Sequence, residues 1–354
     1  MTTSLDALGG WPAVLGPLLA GQDLTGEQTG AALAEILGGD ATPAQVAAFI
    51  VALRMKGETV EELAGLVRTM LAFAEPVPVD PTLSLVDTCG TGGDARGTIN
   101  VSTVAAFVVA GAGAHVAKHG NRAASSACGS ADVLEALGVV VDLGPEGVAR
   151  CITEAGMGFC FAPRFHPAMR HAGPVRRELG VPTVFNFLGP LANPARPRAQ
   201  VVGVSDPAMA ERRLGVLQAN GAERALVVYG HDGLDELTTT TTSTVLELRA
   251  GEVRTYVVDP AELGLAPATV ADLRGADAAA NAVVARRVLD GDAGPHRDVV
   301  LLNAAAGIVA AGRATDLPEG LEAARASVDE GRAAAVLDQL VTVAKAAAET
   351  EAGA

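Results

Sequence analysis

Between Pro76 and Pro81 the pattern of this chain changes, and the change restricts its architecture more than any other feature. Upstream the grammar is helical throughout. Thr25 with Gln28 opens a run through Leu37 that Gly38 ends. Thr42, with Pro43 and Gln45, opens a second through Met55 that stops near Gly57, and Thr59 with Glu62 opens a third through about Phe73. Downstream, short strand-like runs at Leu83–Val86, Ala114–Ala117, Gly158–Phe161, Val201–Val204, Ala225–Tyr229 and Val299–Leu302 have helical segments between most of them. Val245–Leu248 and Val253–Val258, around Ala250-Gly251-Glu252, read as a hairpin at a sheet edge. The expectation is an α/β fold: a mixed, mostly parallel sheet flanked by helices, with a smaller all-helical N-terminal domain. Phe165–Pro194 lacks clear strands and reads as middle helices that rejoin the helical domain. The expected division is residues 1–76 with about 165–195, against 77–164 with about 196–354, with a cleft between. The apolar face Val46, Phe49, Ile50 and Leu53 is wide for one small bundle. It packs either on the rest of the chain or on another subunit.

With 354 residues, 49% apolar and 19% charged, the chain can bury a large core. A net charge of −15 and 3% aromatic residues provide neither a positive field nor stacking platforms for nucleic acid, so none is expected as a partner. Cys89, Cys128, Cys151 and Cys160 show no metal-binding spacing. No signal-peptide succession or membrane-length apolar run is present. A reducing cytoplasm, with no membrane partner, is the expectation.

Four polar clusters carry chemistry. The first is the glycine-rich turn Asp87-Thr88-Cys89-Gly90-Thr91-Gly92-Gly93-Asp94, followed by Asn100-Val101-Ser102-Thr103. It lacks the Gly-Lys-Ser/Thr of a nucleotide-binding P-loop and the GxGxxG of a dinucleotide fold. Its glycines let a ligand approach the backbone, and the hydroxyls sit at the next helix start, where anions are favoured. A plain strand-to-helix turn also fits. The second is Lys118-His119-Gly120-Asn121-Arg122-Ala123-Ala124-Ser125-Ser126. Lysine occurs only at 56, 118 and 345, so Lys118 at a strand end stands out as a point charge for phosphate, with Arg122 as a forked donor. Ser130 is either a phosphate ligand or the N-cap of the helix that follows.

The third cluster, Arg164, His166, Arg170, His171, Arg176 and Arg177, contains no acid before Glu178. It suits an anionic ligand; for Arg170 and Arg177 a solvated face or a cross-subunit surface fits better. In the fourth, His231-Asp232-Gly233-Leu234-Asp235-Glu236-Leu237 precedes the threonines 238–242. Adjacent carboxylates there suit Mg²⁺, or a general acid and base, or a simple cap.

Together with Gly129-Ser130-Ala131-Asp132-Val133-Leu134-Glu135, Phe185-Asn186-Phe187-Leu188-Gly189-Pro190-Leu191-Ala192-Asn193-Pro194 and Asp232-Gly233-Leu234-Asp235-Glu236, these strings resemble the anthranilate phosphoribosyltransferases of tryptophan biosynthesis over nearly the whole length. The resemblance implies a homodimer formed through the helical part and Mg²⁺-dependent transfer of phosphoribosyl from 5-phosphoribosyl 1-pyrophosphate to the amine of anthranilate. It implies that phosphoribosyl pyrophosphate meets Gly90, Gly93, Asp94, Thr98, Asn100, Val101, Ser102, Thr103, Lys118, His119, Gly120, Asn121, Arg122, Ala123, Ala124, Ser125, Ser126 and Ser130. Anthranilate would meet Gly90, Asn121 and Arg176, with Arg176 on its carboxylate, and Ser102, Asp235 and Glu236 would hold Mg²⁺ directly or through water.

Ala127-Cys128 departs from the Lys-Ser of many members, which leaves Lys118 and Arg122 more of the electrostatic task. Cys128 reads as an exposed thiol. No residue is required as a nucleophile or obligatory base, and His119 reads as a positioning group. Two other readings compete: a pyrimidine nucleoside phosphorylase, which would not need Arg176 beside an aromatic acid, and a catalytically silent paralogue, which the presence of Asn121, Arg176, Asp235 and Glu236 opposes.

Overall fold

The structure, a computed structural model, describes residues 3–91, 96–123 and 127–353. Four helices come first: α1 Gly10–Leu19, α2 Gly26–Gly38, α3 Pro43–Lys56 and α4 Val60–Ala72. The caps anticipated at Thr25, Thr42 and Thr59 are all reciprocal boxes. In the third, Glu62 N–H donates to Thr59 Oγ1 at 3.2 Å and Thr59 N–H to Glu62 Oε2 at 2.7 Å. Glu62 also accepts from Leu24 N–H at 2.8 Å and pairs with Lys56 at 2.9 Å, so one buried carboxylate joins three helices.

Strands and helices then alternate: β1 Leu85–Gly90, α5 Val101–Gly111, β2 His115–Gly120, α6 Ser130–Ala136, α7 Pro145–Ala155 and β3 Met157–Phe161. Of the middle helices, α9 Gly173–Leu179 and α10 Val184–Leu188 both pack on α3, whereas α8 Ala162–Phe165 packs on β3 and its Phe165 joins the core of the α/β part. After β4 Ala199–Gly203, α11 Ala210–Ala219 and β5 Arg224–Gly230 comes the hairpin β6 Ser243–Arg249 and β7 Glu252–Val258. Its turn places Ala250 at φ 52° and Gly251 at φ 83°, the left-handed pair that a two-residue hairpin needs. Four helices close the chain: α12 Ala278–Leu289, α13 Pro295–Ala310, α14 Leu317–Asp329 and α15 Arg332–Ala352. None of the described helices is long and apolar enough to cross a membrane.

The sheet order is β3-β2-β1-β4-β5-β6-β7, with parallel pairing from β3 to β5 and antiparallel pairing beyond. Both faces are covered. Val201, Leu226 and Val228 enter the core under α5, α7 and α13–α15, while Val202, Ala225 and Val227 enter the core shared with α1–α4, α9–α11. The period of two therefore divides the strands between two apolar layers.

Two expectations need correction. Val299–Leu302 is not a strand but lies inside α13, whose residues 299–310 are all buried; a helix apolar on every side has no polar face to reveal its period. The strands at 83–86 and 114–117 begin later and extend to Gly90 and Gly120, so the first half of each polar motif is strand rather than loop. The face Val46, Phe49, Ile50 and Leu53 is buried within the chain. On the other side of α3, Met55 is 82% exposed, and Leu19 at the end of α1, a helix that packs on α3, is 80% exposed.

Candidate functional site

The chain runs from β1 outward through β2 to β3, then returns to β4 on the other side of β1. Such a reversal opens a crevice at the carboxyl ends of β1 and β4, where ligands of open α/β sheets bind. A cleft of about 330 Å³ lies there. Its walls are Gly90 and Thr91 at the end of β1, Thr98–Thr103 at the entry to α5, Lys118–Ala123 at the end of β2, Cys128–Ser130 at the entry to α6, and Asp235 with Glu236. The structure thus brings together Gly90, Thr98, Asn100, Val101, Ser102, Thr103, Lys118, His119, Gly120, Asn121, Arg122, Ala123, Ser130, Asp235 and Glu236. Gly93, Asp94, Ala124, Ser125 and Ser126 lie outside the described residues.

Asp235 is held where two strands lack side chains. Gly90 and Gly203 are register partners, and a Cβ on Gly90 would sit 2.7 Å from Asp235 Oδ2, one on Gly203 only 1.6 Å from the Asp235 carbonyl oxygen. Thr91 Oγ1 donates to Asp235 Oδ2 at 3.0 Å, and Arg96 Nη2 donates to the Asp232 carbonyl at 2.5 Å, so the glycine segment and the acidic segment brace each other. Asp232 itself is structural: its carboxylate accepts from Thr238 Oγ1 at 2.8 Å and from Thr240 Oγ1. That is one use for the threonine run.

Under the cleft lies a buried network that sequence reasoning assigned no role. Asp87 accepts from Asn193 Nδ2 at 2.9 Å and from His119 N–H at 3.2 Å, with Gln200 Nε2 at 3.5 Å. Burial raises the Asp87 carboxyl and lowers the Lys118 ammonium, each partly offset by the other's charge. Lys118 Nζ donates to the Thr88 carbonyl at 2.5 Å and stands 3.4 Å from Ser102 Oγ. The expected projecting strand-end charge is instead an ammonium 1% exposed in the cleft floor. Arg122 also differs from expectation. Its Nη1 and Nη2 donate to Glu135 at 2.5 and 2.8 Å and Nη1 also to Asp132 at 3.1 Å, so facing carboxylates engage the forked end expected to face phosphate.

Ser130 is the first residue of α6 rather than its N-cap, and its hydroxyl donates to the Asn121 carbonyl at 3.2 Å. Asp132 performs the capping: it accepts from Gly129 N–H at 2.8 Å and Ala123 N–H at 3.0 Å, bonds that with Arg122 hold its carboxyl below the usual range although burial opposes this. Cys128 is buried at 8% exposure, not exposed, because its segment is tied down by Asn100 Nδ2 donating to its carbonyl at 3.0 Å. Asn281 Nδ2 in turn donates to Asn100 Oδ1 at 3.0 Å.

His119 is pushed down to about 3, chiefly by burial and then by the neighbouring His166, itself pushed down to about 4 by burial. The rings are 5.2 Å apart, and His119 Nε2 is buried without a partner among the described residues. The imidazole is neutral at physiological pH. Arg176 lies outside the cleft lining, half-buried on α9 with its guanidinium 5.1 Å from the Phe185 ring centre. Burial lowers its pKa, and among the described residues it meets no carboxylate. Arg170 and Arg177 are exposed.

A residue with no signal in the sequence is Arg213 on α11. It is 4% exposed, donates to the Phe187 carbonyl at 3.1 Å, stacks over that ring at 4.2 Å, and is lowered by burial to about 10. An arginine in an ordinary helix gives no hint that its helix will be pressed between a sheet and a bundle.

Asp235, Glu236, Thr91 and Ser102 present hard oxygens, the donor type Mg²⁺ takes. Among the described residues no group of three or more His, Cys, Asp or Glu could hold a metal. The pair fits an ion bound by one or two carboxylates and completed by waters and substrate phosphates.

Residues 82–334 match the glycosyl transferase family α/β domain and residues 12–74 its helical bundle domain. The chain is 57% identical over 328 residues to an anthranilate phosphoribosyltransferase of Roseiflexus castenholzii, covering 92% of this chain and 96% of the relative. It is also 57% identical to one of Acidothermus cellulolyticus, over 95% of this chain and 96% of that one. The crystal structure of the Thermus thermophilus anthranilate phosphoribosyltransferase superposes with a TM-score of 0.89 at 44% identity, covering 94% and 99% of the two chains. The Saccharomyces cerevisiae enzyme in complex with phosphoribosyl pyrophosphate and Mg superposes with a TM-score of 0.85 at 27% identity, covering 95% and 98%.

Proposed function

The chain belongs to the anthranilate phosphoribosyltransferase family, and from that premise we infer that it transfers the phosphoribosyl group of 5-phosphoribosyl 1-pyrophosphate to the amine of anthranilate, giving N-(5-phosphoribosyl)anthranilate and pyrophosphate. The observation that carries this reading is the switch-point cleft, lined by Asp235, clamped beside Gly90 and Gly203, by Glu236 next to it and by the amino end of α5. In the reaction the anthranilate nitrogen forms a bond to C1 as the C1–oxygen bond to pyrophosphate breaks, its electron pair leaving with the pyrophosphate. The amine proton passes to solvent or to the departing phosphate.

Mg²⁺, when bound, neutralises charge developing on the leaving pyrophosphate. Asp235 and Glu236, with Ser102 across the cleft, would hold it. The amino end of α5 and the buried Lys118 supply a fixed positive field at the same oxygens. Gly90, Asn100, Val101, Thr103, His119, Gly120, Asn121 and Ala123 form the surface against which the sugar diphosphate lies. His119, neutral and with a free ring nitrogen, hydrogen-bonds and orients substrate rather than holding a proton. Arg176, a half-buried cation lacking a carboxylate, takes the anthranilate carboxylate when the helical layer and the sheet approach, and alignment of a weak amine beside C1 provides rate.

The residues 1–76 with about 165–195 form the helical unit in this reading, and 77–164 with about 196–354 the phosphoribosyl-binding unit. The exposed Leu19, Met55, Val51 and Val181 mark the helical surface that pairs in a homodimer. Four free cysteines suit a reducing cytoplasm.

The test is direct. Protein, Mg²⁺, phosphoribosyl pyrophosphate and anthranilate are mixed and loss of anthranilate fluorescence is followed. Turnover of thymidine with phosphate instead would favour a nucleoside phosphorylase, and ligand binding without any turnover would favour a silent paralogue.

A further inference from the structure

At the other end of the sheet, where β4 and β5 begin, a second cavity of about 430 Å³ opens between the helical layer and the sheet. α4 contributes Arg68 and Leu71, the segment before β4 contributes Arg196 and Arg198, and the end of α11 contributes Asn220. No aspartate or glutamate lines it, in a chain whose net charge is −15. Arg198 is neutralised by Glu223 at 2.5 Å. Arg68 instead donates to Asn220 Oδ1 at 3.2 Å and Arg196 to the Leu71 carbonyl at 3.1 Å, and among the described residues neither meets a carboxylate.

Two further observations mark the cavity as built. Asn220 Nδ2 is buried without a partner among the described residues, a donor whose desolvation is otherwise uncompensated. Arg196 sits at φ 50°, one of only two non-glycine residues in the left-handed region among those described. A long side chain there is disfavoured by about 1–2 kcal/mol, and outliers of this kind cluster at ligand sites. The amides at the back, Asn193 and Gln200, already donate to Asp87, so they offer an occupant no further donor from those bonds.

The free groups are thus nitrogen donors with positive charge, set among Leu71, Leu191 and Leu217. Guanidinium forks match carboxylate or phosphate oxygens, and the leucines match a small hydrocarbon or aromatic body. The volume is of the size that holds small molecules. We propose that this cavity is a second binding site, distinct from the substrate cleft, for a small organic anion with a carboxylate or phosphate head and an apolar body. Its walls come from α4 on one side and β4 with α11 on the other, so an occupant ties the helical layer to the sheet. Through Asn193 and Gln200 it also abuts the bonds that hold Asp87 beneath His119.

The test does not depend on which reaction the cleft performs. Crystals of the full chain are soaked separately with 4-bromobenzoate and 4-bromophenyl phosphate, and bromine is located by anomalous scattering. Bromine in this cavity, with the head group on Arg68 or Arg196, is the expected result, and the probe with the higher occupancy identifies the preferred head. In solution, calorimetric affinity for that probe at this site should fall at least fivefold in an Arg68→Gln/Arg196→Asn variant, with Arg68→Gln alone as the fallback should the pair fail to fold. Bromine confined to the substrate cleft, or undiminished affinity in the variant, overturns the proposal.

Discussion

Replacing Gly203 with alanine isolates the placement of the acidic pair from its chemistry, because the substitution touches no ionisable group. An added Cβ would stand 1.6 Å from the Asp235 carbonyl oxygen and 2.6 Å from its carbonyl carbon. An ordinary contact begins near 3.4 Å, so the backbone at Asp235 must retreat by about 1.8 Å, or β4 must bend by the same amount. Neither the strand nor the loop is free to move cheaply: Gly203 pairs in register with Gly90 on one side and Val228 on the other, and Asp235 is 6% exposed. Overpacking of this kind costs about 1–3 kcal/mol of stability.

The functional effect should be larger than the structural one. Misplacement of a reacting constellation by ~1 Å can cost ~10²-fold in rate, so kcat should fall about 100-fold and half-saturation by Mg²⁺ should rise at least tenfold. Initial rates measured against Mg²⁺ concentration, beside a thermal melt, separate the two effects. Gly189→Ala, where nothing lies within 4 Å of the new Cβ, is the control and should match the parent. A Gly203→Ala protein with the parent's Mg²⁺ response and kcat would refute the claim that these glycines seat the acidic pair.

Arg176→Ala should raise the KM for anthranilate far more than that for phosphoribosyl pyrophosphate, since the lost group is the partner proposed for the carboxylate; equal rises in steady-state kinetics would remove that role. His119 and His166 are held neutral in the folded state with pKa values of about 3 and about 4, below the 6.5 of the unfolded chain, so the stability they contribute is complete above pH 6.5 and declines as pH falls toward those values. Each adds ~1.4 kcal/mol of loss per pH unit in that window. Denaturant unfolding between pH 6 and 5 should therefore show a slope that flattens in His166→Gln, and an unchanged slope would contradict it. Leu19→Asp with Met55→Asp should convert a dimer to monomers in sedimentation; a dimer that persists would place the interface elsewhere.

The bundle helices were legible because their signals are local. Thr25, Thr42 and Thr59 each need only a partner three residues on, and all three boxes form. The sheet's existence and its edge hairpin were legible for the same reason, since alternation and a turn are properties of a few consecutive residues. α13 was not, because burial on every side erases the period that distinguishes a helix from a strand.

The amino-acid sequence determined that the glycine and lysine motifs follow neighbouring strands, and parallel pairing of β1 with β2 delivers both to one rim of the cleft, although Arg176 falls outside its lining. What those side chains are free to do was decided only by tertiary structure. Arg122 and Lys118 read alike as cations for phosphate, yet one is committed to Glu135 and Asp132 and the other is sunk beneath the floor beside Asp87. Arg213 and the acid-free cavity at Arg68 and Arg196 had no sequence signal at all. Charge and hydrogen-bond partners are drawn from segments far apart in the chain, and the energy of a buried group depends on those partners rather than on its neighbours in sequence.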